Sequence, residues 1–396
     1  MRKDFLFTSE SVTEGHPDKL CDQISDSIVD EFLREDPFSR VVAECAVSTG
    51  LVFIAARFAS RAQIDIPSVA RRVIGHVGYD EGEFDAKSCS IMTTLNEMPD
   101  EAYKALDERA FSEEEIDRFP AQNLVTVFGY ACRQTPGMIP LPIWLSHKLA
   151  RRLATVRLTG KLPYLEPDGT TQVGVEYKHR QPDRIHSMTL VAALDPQDFP
   201  DPATLERDLW RHVIEPVFAD EEVKPDADTH IFVNPGGTFL GGGPARHSGL
   251  TGRKTASDLY GGFCRQGGAA LSGKDPVRVD RVGAYAARYA AKNIVAAGLA
   301  DECEIQLSYA LGQSRPFSVH VETFGTKKVP HKKIEERVND AFDFRPAAII
   351  RQFGLRHLPQ ASKRGFYGRL AAYGHVGRLD LGLPWELVDK AAAIKE

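Results

Sequence analysis

The chain has 396 residues, 42% of them hydrophobic and 26% charged, with a formal net charge of −6. That length supports two or three domains with a large core, and the composition is that of a globular protein. The acidic balance disfavours a general nucleic-acid role. No apolar run is long enough to span a membrane. The opening MRKDFLFTSESV lacks the apolar core of a secretory signal. A cytoplasmic protein with no membrane and no nucleic-acid partner is expected. Cys21, Cys45, Cys89, Cys132, Cys264 and Cys303 lie far apart with no C-x-x-C spacing. They are expected to be reduced thiols and not zinc ligands.

Leu20, Ile24, Ile28 and Phe32 recur every four residues, which predicts an amphipathic helix. Asp18, in HPDK, sits near its start. The segment VVAECAVSTGLVFIAARFAS holds two alternating runs around Thr49-Gly50 and predicts a β-hairpin, with Leu51, Phe53, Ala55 and Arg57 on one face. The charged stretch from Asn96 to Pro120 predicts a mobile, partly helical surface segment. LPYLEPDGTTQVGVEY predicts a Pro-Asp-Gly turn entering a strand. DRIHSMTLVAAL and HIFVNPGGTFL predict buried strands. VGAYAARYAAKNIVAAGLA predicts a helix ended by Gly298. EIQLSYALG and PFSVHVETFG predict two further strands. Hairpins mixed with long helices imply an α+β protein with antiparallel sheets covered on one face.

One motif invites a sharper question. GGAALSGKD, residues 267–275, spells G-x-x-x-x-G-K from Gly268 and then places Asp275 where a P-loop carries Ser or Thr. No buried strand precedes it, and Pro276 limits any helix that follows. A P-loop is therefore not expected. Glycines beside a lysine still suit an anion, because backbone N–H groups can approach without a Cβ in the way. Arg253, Lys254, Arg278 and Arg281 add cations nearby, and Asp275 and Asp280 are interleaved with them. Cations for oxygens and carboxylates for a metal are what a phosphate–magnesium complex needs.

FTSESVTEGHPDKLCDQISD, GLTGRK, YGG, SGKDPVRVDR, VETFGT and AAYGHVGR occur in that order from near Phe5 to near Glu386. Together these motifs resemble the S-adenosylmethionine synthetase (methionine adenosyltransferase) family. The resemblance implies three similar α/β-sandwich-like domains around a pseudo-threefold axis, here at 4–103, 117–238 and 239–380. It implies a homodimer or dimer of dimers, with active sites between subunits. The implied reaction is attack of methionine sulfur on C5′ of ATP, with release and cleavage of the triphosphate, assisted by two Mg²⁺ and one K⁺. Carried over residue by residue, His16, Lys274, Arg253 and Lys254 are the implied catalytic set. Phe239, Arg278, Asp168, Asn123 and Ser272 are implied to bind ATP. Asp18, Asp280 and Glu44 are the implied metal ligands.

The chain departs from the family pattern at the other end of the site. Arg57 stands where a glutamate is expected, Asn123 and His247 where aspartates are expected, Met98 where a glutamine is expected, and Thr170 where a lysine is expected. Arg57, Met98 and His247 thus mark a diverged second-substrate pocket. The first three changes remove negative charge from around a substrate ammonium. The sequence leaves open a synthetase with substitute contacts, a relative that uses ATP with another nucleophile or only cleaves triphosphate, and a non-catalytic homologue.

Overall fold

The computed structural model describes residues 4–99, 103, 107–362 and 365–395. Among these, strands β1 (Phe5–Val12), β2 (Arg40–Ser48), β3 (Leu51–Ala59), β4 (Ser90–Glu97), β5 (Val125–Cys132), β6 (Leu165–Lys178), β7 (Gln181–Leu194), β8 (His230–Val233), β9 (Gly249–Leu250), β10 (Glu302–Tyr309) and β11 (Ser318–Glu322) form three sheets. Their orders are β1-β6-β7-β8, β4-β3-β2-β9 and β11-β10-β5. The order reveals a cyclic exchange. The first third of the chain lends β1 to the sheet of the central third. The central third lends β5 to the last sheet, and the last third lends β9 to the first. Backbone hydrogen bonds therefore lock the thirds together.

Among the described residues the α-helices are α1 (Pro17–Glu35), α2 (Ile66–Val77), α3 (Glu113–Arg118), α4 (Leu141–Leu158), α5 (Pro202–Leu209), α6 (Glu215–Phe218), α7 (Thr255–Asp258), α8 (Val279–Ala296), α9 (His331–Ala341), α10 (Pro346–Phe353) and α11 (Ala391–Lys395). The α+β architecture expected from the sequence is the one present. The Thr49-Gly50 hairpin joins β2 to β3 with Ser48 opposite Leu51. Gly298 follows α8 at φ +75°, where its N–H meets the carbonyl of Val295. The six cysteines are free thiols.

Four expectations need correction. Two of the three sheets are mixed, because β3 pairs with β4, and β7 with β8, in parallel, while the β11-β10-β5 sheet is antiparallel throughout. Pro167-Asp168-Gly169 makes no turn; it lies inside β6, at a register shift between Leu165 and Gly169. Thr13 accounts for this: its N–H bonds Gly169 and its hydroxyl donates to Pro167, which holds the chain along β1. β8 is a half-exposed edge strand, not a buried one.

The stretch 96–120 begins as the end of β4, and residues 100–102 and 104–106 lie outside the described residues. From 107 onward it is helical in part but pinned. Buried Glu108 accepts from Arg356 at 2.7 and 2.9 Å. Glu113 pairs with Arg345 at 2.6 Å, and Asp117 pairs with Arg345 at 3.0 Å and Arg315 at 2.7 Å. Its charges suggested solvent because their partners lie some 200 residues away in the chain.

Helix α1 is buried on two faces. Leu20, Ile24, Ile28 and Phe32 enter the core as expected. Asp18, Asp22, Asp26 and Asp30, also four apart, are buried as well. Each accepts backbone N–H groups from a distant loop: Leu250 at Asp18, Gly252 at Asp22, Gly273 at Asp26, and Phe366, Tyr367 and Gly368 at Asp30. Buried Lys19 pairs with Asp22 and Asp258, and buried Arg281 with Asp26. Burial pushes the carboxyl of Asp26 up to about 7 and that of Asp30 up to about 6, against the pull of these partners. This row of carboxylates fixes the loops that carry the candidate site.

Candidate active site

Strand β2 organises the site because the last third of the chain runs along one of its edges twice. Near one end, Gly249 and Leu250 pair with Val47 and Ala46 and lead into Arg253 and Lys254. Near the other, Lys274 bridges Val42, the Ala43 N–H bonds the Gly273 carbonyl at 2.8 Å, and the Asp275 N–H bonds Val41 at 3.0 Å. Val42 and Ala46 are four residues apart, so the two groups stand roughly 13 Å from each other along the strand.

The first group is built on the start of α1. His16 is its N-cap, and its Nδ1 accepts the N–H of Asp18 at 3.2 Å. A neutral imidazole has one donor and one acceptor nitrogen, so Nε2 carries the proton. Burial, then the charges of Lys254 and His247, lower the His16 pKa to about 4, against the pull of Asp168 and Asp18. His16 is therefore a neutral N–H donor at ordinary pH. Asp18 lies 3.7 Å from Arg253 and 4.0 Å from Lys254, which also faces Glu10 at 3.5 Å. Asp168, on the β6 bulge, accepts the Gly243 N–H at 2.8 Å and contacts His247 Nε2 at 2.6 Å. The ring of His247 lies edge-on to His16 at 5.0 Å and 6.4 Å from that of Phe239.

His16, Asp168 and His247 offer ligand atoms within 4.8 Å of one another. Metal binding by all three does not fit the hydrogen bonding. The acceptor nitrogen of His16 is already engaged by the helix, and its other nitrogen bears a proton. The arrangement suits an anionic oxygen instead.

The second group is the GGAALSGKD loop. It is irregular and makes no P-loop. Gly273 has φ +79°, and a Cβ there would come within 2.0 Å of the Ala43 carbonyl oxygen, so only glycine lies flat on β2. Asp275 is a fully buried staple, accepting Val41 N–H at 2.8 Å and Val277 N–H at 2.7 Å. That is why a carboxylate replaces the P-loop hydroxyl. Lys274 Nζ lies 3.1 Å from Asp280, whose two oxygens also each accept from the Asn123 amide at 3.1 Å. Ser272 Oγ and Arg278 Nε are buried without a hydrogen-bond partner.

Of the remaining residues, all but Thr170 lie on or beside the open face of the β2–β3 sheet. Arg57, exposed, is in register with Val42, whose other side is bridged by Lys274, so one strand separates the two cations. Glu44 is exposed opposite Ala55. The Met98 N–H bonds the Phe58 carbonyl, just past β4. The same face carries Leu51, Phe53, Met92 and Leu250, each 40–56% exposed. Thr170 lies opposite Val12 on β1.

The structure thus gathers His16, Asp18, Asp168, Phe239, His247, Arg253 and Lys254 in one group. It places Asn123, Ser272, Lys274, Arg278 and Asp280 in another, with Arg57, Glu44 and Met98 beyond it. Sequence reasoning missed Asp22, Asp26, Lys19 and Asp258, which hold these loops. Their signal was present: aspartates at a spacing of four starting from Asp18, on the side of α1 opposite the apolar stripe.

Fold and site together define an α+β protein whose interlocked sheets bring cations, carboxylates and an aromatic ring together in two groups. Family models for the N-terminal, central and C-terminal domains of S-adenosylmethionine synthetase match residues 4–99, 118–239 and 241–387. The S-adenosylmethionine synthase of Gloeothece citriformis is 50% identical over 100% of this chain and 98% of its own length. Those of Thermosynechococcus vestitus and Microcystis aeruginosa are also 50% identical, over 99% and 100% of this chain and 97% and 98% of their own. The chain belongs to the S-adenosylmethionine synthetase family.

Proposed function

We propose that this protein is an S-adenosylmethionine synthase that joins the sulfur of methionine to C5′ of ATP. The C5′–O bond breaks, triphosphate departs, and water cleaves it to pyrophosphate and phosphate. The observation that carries this reading is the full-length identity of about half to proteins of that name; the family resemblance assigns His16, Arg253, Lys254 and Lys274 to the phosphates.

Triphosphate leaves only if its growing charge is met as the bond breaks. His16 donates its Nε2–H to a departing oxygen, and because it is neutral it neither repels nearby cations nor needs a proton from solvent. Arg253, Lys254 and Lys274 meet the phosphate oxygens. Asp18 and Asp280 are each single buried carboxylates beside these cations. That suits Mg²⁺, which takes one or two carboxylates plus phosphate oxygens. Bound Mg²⁺ supplies further neutralisation of the leaving group, and Glu44 supplies an exposed oxygen ligand suited to K⁺. Phe239 stacks on adenine, while Asp168 and His247 face the ribose end. Asn123 fills an aspartate's place as a neutral donor to Asp280. Arg57 lies outside the first group, so its charge bears on the second substrate only from the Lys274 side.

The two groups lie at opposite ends of β2, beside an open apolar face. Two copies stacked face to face about a twofold axis would bring the His16 group of one to the Lys274 group of the other. We therefore read the active enzyme as a homodimer or dimer of dimers with shared sites, in the cytoplasm. The test is direct. Purified protein given ATP, methionine, Mg²⁺ and K⁺ should form S-adenosylmethionine, phosphate and pyrophosphate in equal amounts. ATP turnover with no adenosylated methionine would overturn the assignment.

A further inference from the structure

A cavity of about 380 Å³, lined by no residue of either site group, lies between α4, the start of α6 and the loop at 373–380. Its floor is apolar, formed by Ile139, Trp144, Val217 and Val376. Its rim is cationic, with Lys148, Arg151, Arg152 and Arg378, and Asp380 is its sole carboxylate. Two of the cations are already engaged. Lys148 pairs with Glu221, and Arg152 Nε donates to the His212 carbonyl at 2.8 Å. The other two share one carboxylate, and Arg378 Nη1 also donates to the Ala372 carbonyl at 2.9 Å. Arg378 holds Asp380 through two bonds at 2.9 and 3.0 Å, and Arg151 reaches the same carboxylate at 3.4 Å. Burial and the charge of Arg378 lower the pKa of Arg151, and the same two guanidiniums help to lower that of His147 behind them. The cavity is thus short of negative charge.

An inorganic anion would satisfy the rim and leave the apolar floor wet. A neutral apolar body would fill the floor and leave the guanidiniums as they are. We propose that this cavity is a binding site for a small amphipathic monoanion, an aromatic or aliphatic body bearing one carboxylate or sulfonate, with the charge set between Arg151 and Arg378. Such ligands match pockets with apolar walls and a few orienting polar groups.

The cavity wall is tied to the catalytic loops. Arg151 stacks over Tyr373, whose hydroxyl donates to Glu14 at 2.9 Å, two residues before His16. His147 bonds Ser11 at 2.8 Å, and the His375 N–H bonds the Asp258 carbonyl at 2.8 Å, at the end of the helix that follows Lys254. An occupant would therefore press on the two loops that hold the first site group.

The probe is anilinonaphthalene sulfonate, titrated by fluorescence against the full chain. Arg151→Glu should weaken the saturable binding about tenfold or more, the scale of one lost charge-assisted hydrogen bond. Asp380→Asn removes the competing carboxylate and should tighten it. Both side chains are more than 40% exposed, and opposite shifts cannot come from general unfolding. Neutral N-phenylnaphthylamine should bind weakly and respond to neither change. Equal affinity of the sulfonate dye for all three proteins, or equal binding of the neutral dye, would overturn the proposal.

Discussion

The protonation of His16 gives the sharpest quantitative test. Its pKa falls from 6.5 to about 4 in the folded protein, chiefly through burial. The unfolded chain therefore binds more protons between those values, and the native state is favoured above pH 6.5 and loses that advantage as the pH falls towards 4. Applying linkage to the two pKa values, His16 should cost about 2.5 kcal/mol of stability between about pH 7.5 and about pH 4.5. His16→Asn keeps a good N-cap and removes the titration. Denaturant unfolding of both proteins at the two pH values isolates the effect, since the other titrating groups are shared. The wild type should lose about 2.5 kcal/mol more than the variant over that interval. Nitrogen NMR of the imidazole should show Nδ1 unprotonated and Nε2 protonated at neutral pH. Parallel loss in the two proteins, or a protonated Nδ1, would refute both the neutral donor and its role at the leaving group.

Other outcomes can be stated more briefly. Lys274→Met should lower kcat by about 10²–10³, the usual loss when one donor aimed at developing charge is removed; activity within twofold of wild type would count against the lysine's role. Asn123→Asp places a second carboxylate against Asp280, in the position of an amide now 3.1 Å away. Like charges so close repel, so this variant should melt lower without metal and need less Mg²⁺ for half-maximal rate; an unchanged Mg²⁺ curve would argue that Asp280 does not meet the metal. Arg356→Met strands the buried Glu108 and should cost about 3–5 kcal/mol, with faster hydrogen exchange in 107–118; exchange that stays slow would mean the ion pair does not hold that segment.

How far the fold could be read depended on where each residue's partner lay. The Thr49-Gly50 hairpin, α1 and α8 were legible because periodicity and end signals are local. The β6 bulge was not, because Thr13 holds it from another strand. The segment after 107 looked solvated because Arg315, Arg345 and Arg356, which bury or pair its acids, come far later in the chain. GGAALSGKD was half legible. Its glycines and lysine suggest an anion site, but only the packing on β2 shows Asp275 as a staple and Gly273 as the point of contact with Ala43.

The sequence by itself determined the family and the chemical inventory, since ordered motifs and residue types are properties of the chain alone. It also held the row of aspartates on α1, although an amphipathic reading assigns that face to solvent. The tertiary structure decided the geometry. The exchange of β1, β5 and β9 brings loops from three parts of the chain onto α1 and β2, and buried carboxylates fix them there. It also decided that His16 is a donor, because the proton on Nε2 follows from a hydrogen bond made only when α1 begins at Pro17. Finally, it set His16 and Lys274 at opposite ends of one strand, because β2 is extended and the last third of the chain crosses its edge twice.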